Sequence, residues 1–224
     1  MGHQKLKYMD NIEHIAELIH QSFEERTAVR DQILSQARSL TRHCANAIRA
    51  AHRNERELAS QHLIQARQIV EAFHGIQDRY PDLYYAGYAQ DALKEYAESK
   101  IVFSLLDGPE LPTPEELELE YAVYLQGLAE SVGELRRRCL DTLLNDHPEE
   151  AERLLEHMDD IYAILVTMDY PDAITGGLRR LTDLARGIIE RTRGDLMVSL
   201  RQAKLERSLR RVENRLGQAP PSDD

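Results

Sequence analysis

Two pairs of glutamates lie inside stretches of the sequence that have helical periodicity. Glu95 and Glu98 are three residues apart, and Glu130 and Glu134 are four residues apart. Residues at these spacings share one helix face, where like charges repel unless a cation lies between them. Carboxylate oxygens are the ligands that Mg²⁺ and Mn²⁺ prefer, and such an ion can activate water beside a phosphodiester. In a chain with 39 acids such pairs also arise by chance on solvated faces, so both interpretations stay open at this point.

A second metal interpretation is a ferritin-like di-iron site, which uses Glu-x-x-His motifs on two helices. Glu17–His20 and Glu71–His74 have this spacing. His74, however, directly precedes Gly75, where a histidine is explained by the partial negative charge at the end of a helix. Glu17 and His20 lie between apolar positions of their helix. We therefore favour an ordinary surface role for both motifs.

The elements that must position these acids are helices, because apolar residues recur at steps of three, four or seven almost throughout. A first helix begins near residue 10, with one buried stripe that includes Ile12, Ile19, Phe23 and Ile33, and it breaks at Asn54. A second helix is predicted to run to about Phe73 and to stop at Gly75, and a third covers 83–106. A fourth covers 113–144, with Thr113 as its cap, and a fifth covers 148–167. A turn or short helical piece at 169–177 precedes the last helix, which runs to about 216. No alternating strand pattern competes. The sequence predicts an all-α, single-domain bundle of about six to seven long antiparallel helices over 1–217, with a flexible C-terminal tail at 218–224.

Composition restricts the class of protein further. The chain has 224 residues, a formal net charge of −11 and two cysteines, Cys44 and Cys139, without metal-ligand spacing. We expect both to be core thiols of a reduced, cytoplasmic protein without a membrane-spanning segment. The charge is uneven: residues 109–160 hold a net −11, whereas residues 176–215 hold a net +6. An acidic chain of this kind can still present a basic surface to nucleic acid.

Five segments carry a resemblance to a known family. They are NAIRAAHR (46–53), YPDLYYAG (80–87), LKEYAE (93–98), GLAESVGEL (127–135) and MDYPDAITGGLRR (168–180). In this order they resemble the translin family, and in particular its archaeal and bacterial translin-associated factor X-like members. The resemblance covers about residues 30 to 205.

The resemblance implies a bundle of about seven helices that assembles into a closed homo-octamer around single-stranded RNA or single-stranded DNA. It also implies a Mg²⁺-dependent (or Mn²⁺-dependent) endoribonuclease site made of four acids, which correspond here to Glu95, Glu98, Glu130 and Glu134. The third acid is usually aspartate in animal factor X proteins, so Glu130 is a longer ligand. The basic stretch that follows the paired tyrosines in animal translin is missing, because Ala86–Ala89 stand there. This difference favours the factor X-like, catalytic role over a non-catalytic nucleic-acid-binding assembly, which remains the alternative.

Basic residues on the first and last long helices are the candidates for contacts with the nucleic-acid backbone. They are Arg49, Arg53, Arg179, Arg180 and Arg193. Phosphate contacts need arginine or lysine, and binding through them should weaken as salt concentration rises.

Overall fold

Helices account for every regular element that the computed structural model describes, over residues 2–108, 110–145 and 147–217. Six helices are long and three have a single turn. Their bounds are α1 Gly2–His52, α2 Arg56–Gln77, α3 Pro81–Tyr84, α4 Gly87–Asp107, α5 Pro114–Leu117, α6 Tyr121–Leu144, α7 Pro148–Thr167, α8 Asp172–Thr175 and α9 Leu178–Gly217. No strand occurs in these ranges, so the all-α prediction is confirmed for the described part of the chain.

The backbone divides into two compact units, the first ending at Phe103 and the second beginning at Ser104. The sequence predicts one domain over 1–217, and that boundary stays a prediction. The tail predicted at 218–224 lies outside the described residues. None of the described helices is both long and apolar enough to cross a lipid bilayer.

In the first unit, α1 and α2 pack against each other after a three-residue turn. Asn54 has a φ of 59°, which places it in the left-handed region that asparagine tolerates better than most residues, and this confirms the predicted break. The buried face of α1 includes Ile33, Leu40 and Ala47, which recur every seven residues. On α4, the buried Tyr96 is hydrogen-bonded to Arg67 of α2. Three helices of the first unit therefore share its core.

In the second unit, α6, α7 and α9 pack against one another, and α8 contacts α6 and α9. Arg136 of α6 donates hydrogen bonds to Thr192 Oγ1 at 2.9 Å and to Asp195 Oδ2 at 2.8 Å on α9. The Gln126 side chain donates to the carbonyl oxygens of Thr175 and Gly176, each at 3.0 Å. Polar side chains of α6 thus fix both α8 and α9 against its own apolar face.

The predicted helix over 113–144 is wrong in one respect, because it is two helices. Thr113 does form the predicted capping box with Glu116. However, α5 ends after one turn, and Glu118 adopts a left-handed conformation with a φ of 55°. Leu117 and Leu119 are both buried, although residues two apart lie on opposite sides of a continuous helix. The break at Glu118 lets both leucines reach the core.

Three other predicted boundaries need correction. α1 begins at Gly2 and not near residue 10. α2 continues through Gly75 to Gln77, because that glycine keeps the helical conformation and does not adopt a positive φ. The helix predicted over 83–106 begins instead at Gly87. Pro81 starts the separate one-turn helix α3, which ends at Tyr84. The break predicted at Tyr80–Pro81 is confirmed.

The predicted buried stripe of α1 is only half correct. From Ile33 onward its apolar residues are buried, whereas Ile12 is 46% exposed and Phe23 is 64% exposed. No side chain described before Ile33 on α1 is buried. The periodic pattern predicted the helix and its face correctly, but it could not show that the buried part of this face begins only at Ile33.

Candidate functional site

The first glutamate pair lies on α4 in the first unit. Glu95 and Glu98 flank the buried Tyr96 and Ala97, and both are half-buried. One carboxylate oxygen of Glu95 lies within 4.8 Å of one of Glu98. The three-residue spacing therefore brings the two carboxylates together at the edge of the core, as the sequence predicts.

The α4 pair lies beside the buried thiol of Cys44, which belongs to α1. Burial raises the pKa of Cys44 to about 12, and the carboxylates of Glu95 and Glu98 raise it further, against a hydrogen bond with Ser99 that lowers it. The thiol is therefore neutral at ordinary pH and adds no charge to the pair. Cys44 is a core thiol, as predicted, and this buried, neutral group lies beside the α4 pair.

The second pair lies on α6 in the second unit. Glu130 and Glu134 are half-buried and follow the buried residues Leu128 and Val132 along the helix. Glu134 Oε2 lies 3.7 Å from Arg137 Nη1 in an (i, i+3) ion pair. One carboxylate of this pair is thus already opposed by a positive charge on its own helix.

Arg137 stands between two arginines that have other partners. Arg136 contacts α9, and Arg138 donates to Glu150 Oε1 of α7, with its Nη2 at 2.9 Å from that oxygen. The Arg137 side chain is 53% exposed, compared with 25% for Arg136 and 16% for Arg138. It is a residue that the sequence analysis did not single out, although the (i, i+3) spacing from Glu134 was visible.

The donor set of the two pairs fits a hard divalent cation. All four side chains offer oxygen only, and Mg²⁺ and Mn²⁺ select oxygen ligands over nitrogen or sulfur. Two carboxylates within 4.8 Å on one helix repel each other, so a cation between them removes an unfavourable interaction. The half-burial of Glu95 and Glu98 strengthens this argument because it reduces screening by water.

The two Glu-x-x-His motifs have other roles in the described residues. Glu17 and His20 are both exposed on the part of α1 that precedes its packed region. Glu71 forms an ion pair with Arg67 at 3.1 Å, and the His74 ring lies 6.0 Å from the ring of Tyr84. Neither motif joins a group of three metal-type ligands among the described residues.

The five candidate arginines for nucleic-acid contacts are all exposed, but most of them also bond to protein groups. Arg53 pairs with Glu55 at 3.0 Å, Arg179 with Asp169 at 2.7 Å, and Arg193 with Asp159 at 2.7 Å. Arg49 donates to Asn46 Oδ1 at 2.5 Å. Arg180 follows Arg179 on the first turn of α9. Exposed ion pairs of this kind contribute little, so a phosphate can exchange with the carboxylate.

Comparisons with known proteins agree with this architecture. No family model matches the chain. A protein of Methanocaldococcus jannaschii, called uncharacterized protein MJ0175, is 31% identical over 195 residues, which are 86% of each chain. The structure of AfC3PO in a complex with duplex RNA is 34% identical, with a TM-score of 0.78 over 84% of this chain and 97% of that one. A second AfC3PO crystal structure is 32% identical, with a TM-score of 0.75 over 84% of this chain and 98% of that one. Apo-NeC3PO has a TM-score of 0.76 over 82% of this chain and 96% of that one, but at 18% identity it supports the fold alone.

The helices and the glutamates embedded in them define a class of all-α proteins with long, regular helices and carboxylate pairs at the edge of the core. Within that class, the identities of about one third and the near-complete coverage decide the assignment. The chain belongs to the translin family.

Proposed function

We propose that this protein binds RNA and cleaves it as a Mg²⁺-dependent endoribonuclease within a closed homo-octamer. The observation that carries the proposal is the presence of two in-helix glutamate pairs in a translin-family chain, one of which has its carboxylates within 4.8 Å of each other at a half-buried position. The 34% identical AfC3PO in complex with duplex RNA supports the RNA-binding part.

In this proposal Glu95, Glu98, Glu130 and Glu134 are the ligands, and Arg137 partly neutralises Glu134. A divalent ion held by these groups would serve as a Lewis acid and lower the pKa of a bound water. The protein's own contribution is to fix the carboxylates on rigid helices and to limit access of bulk solvent on the side of Cys44. Helical scaffolding of this kind holds ligands more precisely than loops do.

RNA is held through its phosphates in this proposal. Arg49, Arg53, Arg179, Arg180 and Arg193 supply the charges, and the acids that now pair with several of them are displaced by phosphate oxygens. Single-stranded RNA is the proposed cleaved ligand, and the duplex bound by AfC3PO makes structured RNA with single-stranded portions an equally direct substrate to test. Single-stranded DNA is a further ligand for the same basic groups, since phosphate contacts carry no sequence information.

The decisive experiment compares wild-type protein with Glu130→Gln on labelled single-stranded and duplex RNA, in Mg²⁺ and in EDTA. Glutamine keeps the size of the side chain and removes its charge. We expect cleavage to require Mg²⁺ and to fall by about 100-fold or more in the variant, because a metal's stabilisation of the transition state is worth several kcal/mol. RNA binding and oligomer mass should be unchanged. Glu152→Gln, the same change at an exposed position of α7, is the matched control.

A second candidate function is a non-catalytic RNA-binding assembly. The observation that favours it is the Glu134–Arg137 ion pair, which neutralises one of the four carboxylates without a metal. RNA binding without Mg²⁺-dependent cleavage by the wild-type protein would establish this alternative and exclude the nuclease.

A further inference from the structure

Residues 9–25 of α1 include an apolar face whose described side chains are exposed. We call residues 9–25 the α1 overhang. Its large apolar side chains are between 46% and 64% exposed, and they are Met9, Ile12, Ile15, Leu18, Ile19 and Phe23. Single exposed apolar residues are normal on protein surfaces, but six on one helix segment form a contiguous patch.

The exposed face of the α1 overhang continues the buried face of the same helix. Ile12 and Ile19 precede Ile33 and Leu40 by whole multiples of seven residues, so all four lie along one stripe. Ile33 is 1% exposed and Leu40 is fully buried, because α2 packs against that part of α1. The overhang therefore has the same kind of surface that binds another helix within this chain.

The end of α9 has a similar overhang. Leu196 is the last buried residue among the described side chains of this helix, and we call residues 197–214 the α9 overhang. Its exposed apolar side chains are between 50% and 59% exposed, and they are Met197, Val198, Leu205, Leu209 and Val212. Val198, Leu205, Leu209 and Val212 are separated by seven, four and three residues, which again defines one helix face.

Each overhang is a long helix whose large apolar side chains are exposed, which is an unusual arrangement in water, although Glu25 at the end of the α1 overhang accepts a hydrogen bond from Tyr80 and pairs with Arg79. Most helices in proteins are stabilised by packing of their amphipathic face and not by intrinsic propensity. At 1.5 Å per residue the overhangs are about 25 Å and about 27 Å long. Their lengths match, so two overhangs can cover each other along their whole apolar faces.

The charges on the two overhangs are opposite. The α1 overhang has five acids and no lysine or arginine, giving −5, and the acids are Asp10, Glu13, Glu17, Glu24 and Glu25. The α9 overhang has five basic residues and two acids, giving +3, and the basic residues are Arg201, Lys204, Arg207, Arg210 and Arg211. Two α1 overhangs would repel each other, and so would two α9 overhangs.

We propose that the α1 overhang of one copy of this chain packs lengthwise against the α9 overhang of a second copy. The apolar stripes form the buried seam, and the acidic and basic flanks determine which helices pair, as charged flanking residues do in coiled coils. Because every copy carries one overhang of each kind, each copy can be bound twice. Such contacts close into rings or reciprocal pairs. The inference concerns assembly only and holds whether or not the protein cleaves RNA.

The first test removes one stripe at a time. The α1 variant carries Ile12→Gln, Ile19→Gln and Phe23→Gln, and the α9 variant carries Leu205→Gln, Leu209→Gln and Val212→Gln. All six positions are exposed, so the fold of each unit is not at risk. The control carries Ile64→Gln and Ile164→Gln, at apolar positions of comparable exposure on α2 and α7.

We expect each stripe variant to form smaller assemblies than the wild type and the control by sedimentation or light scattering. In a pull-down with two tags, the α1 variant should capture the α9 variant at least about tenfold more tightly than it captures a second α1 variant, because only the mixed pair restores one complete contact. A wild-type protein that is monomeric at tens of micromolar, unchanged mass of either variant, or equal capture of like and unlike variants would overturn the proposal.

The second test reverses the charges. Glu13→Lys with Glu17→Lys should weaken assembly, as should Lys204→Glu with Arg207→Glu, and a chain carrying all four changes should recover the wild-type mass. A general loss of helix stability would not be repaired by the second pair of changes. If the α9 overhang instead binds RNA, Lys204→Glu with Arg207→Glu will lower RNA affinity and leave the oligomer mass unchanged, which rejects the pairing of overhangs.

Discussion

In each glutamate pair the spacing places both side chains on one helix face, but the two pairs have different surroundings. Glu95 and Glu98 lie against a buried, neutral thiol, and their charges contribute to raising the pKa of Cys44 to about 12, after burial itself. Glu134 lies near Arg137, and α6 continues through two more arginines that are held by neighbouring helices. The α4 pair therefore borders a neutral buried thiol, whereas one carboxylate of the α6 pair lies near an arginine of its own helix. We expect the α4 pair to respond more strongly than the α6 pair to an added charge or to a bound cation.

The largest difference between the two regions should appear when a further negative charge is buried in each. Cys44→Asp would place a carboxylate beside Glu95 and Glu98, and we expect a loss of about 3–5 kcal/mol in the free energy of unfolding. Cys139→Asp should cost less, because Arg136 lies near Cys139 and lowers the pKa there, although burial raises it to about 11. Urea unfolding of both variants, with Cys→Ala at each site as controls, measures the difference. A greater loss at Cys139 would contradict the comparison.

The second difference concerns cleavage. We expect Glu95→Gln combined with Glu98→Gln to reduce Mg²⁺-dependent RNA cleavage by about 100-fold or more, which corresponds to about 2.7 kcal/mol. Glu134→Gln, in the partly compensated pair, should reduce it by no more than about tenfold. Cleavage rates at saturating Mg²⁺, with RNA affinity measured separately, provide the test. If the two variants lose equal activity, Glu134 contributes as much to cleavage as the α4 pair and the distinction fails.

The pH dependence of stability should also distinguish the two thiols. A thiol whose pKa is raised in the folded state stabilises the protein below its ordinary pKa of 9.0, and this contribution is lost as pH rises toward the folded value. Each thiol should cost about 1.4 kcal/mol per pH unit in this window. Cys44→Ala should therefore flatten the fall in stability from about pH 9 to about pH 12, and Cys139→Ala only to about pH 11. Equal profiles for wild type and Cys44→Ala in urea unfolding would refute this assignment.

The smallest effect should come from replacing Arg137, which changes the Mg²⁺ concentration that cleavage requires. Arg137→Gln releases Glu134 from its ion pair, so we expect the Mg²⁺ concentration for half-maximal cleavage to fall by about two- to fivefold, the size of an exposed ion pair. Arg186→Gln, which removes a comparable surface pair with Glu190 on α9, is the control. A rise in the Mg²⁺ requirement would mean that Arg137 orients Glu134 for binding instead of competing for it.

Much of the fold was predictable because local rules determine it. The residue before Pro81 breaks a helix, Thr113 caps one, and apolar steps of three and four define the long helices. The errors arose where tertiary packing decides. Nothing local distinguishes Gly75, which stays helical, from a stop, and only the simultaneous burial of Leu117 and Leu119 explains the break at Glu118.

In the candidate site, too, local spacing predicts some features, whereas others depend on contacts between helices. The spacing of Glu95 and Glu98 predicts a shared helix face, and the structure confirms it for that pair. Their contact with Cys44 joins residues about 50 positions apart, which no periodic pattern reveals. Likewise, the pairing of Arg193 with Asp159 shows that a basic residue can be compensated by an acid from another helix. Sequence spacing identifies groups on one element, whereas contacts between elements require coordinates.

The continuous course of α1 has a consequence for how insertions would act. Residues inserted between Phe23 and Ile33 would leave the packed half of α1 in place and rotate the preceding segment by about 100° each about the helix axis. Seven added residues would nearly restore the original orientation and move the segment outward by about 10 Å. The number of residues in this stretch therefore determines the direction in which the exposed face points. We expect insertions and deletions here to be tolerated in sets of seven residues and not singly.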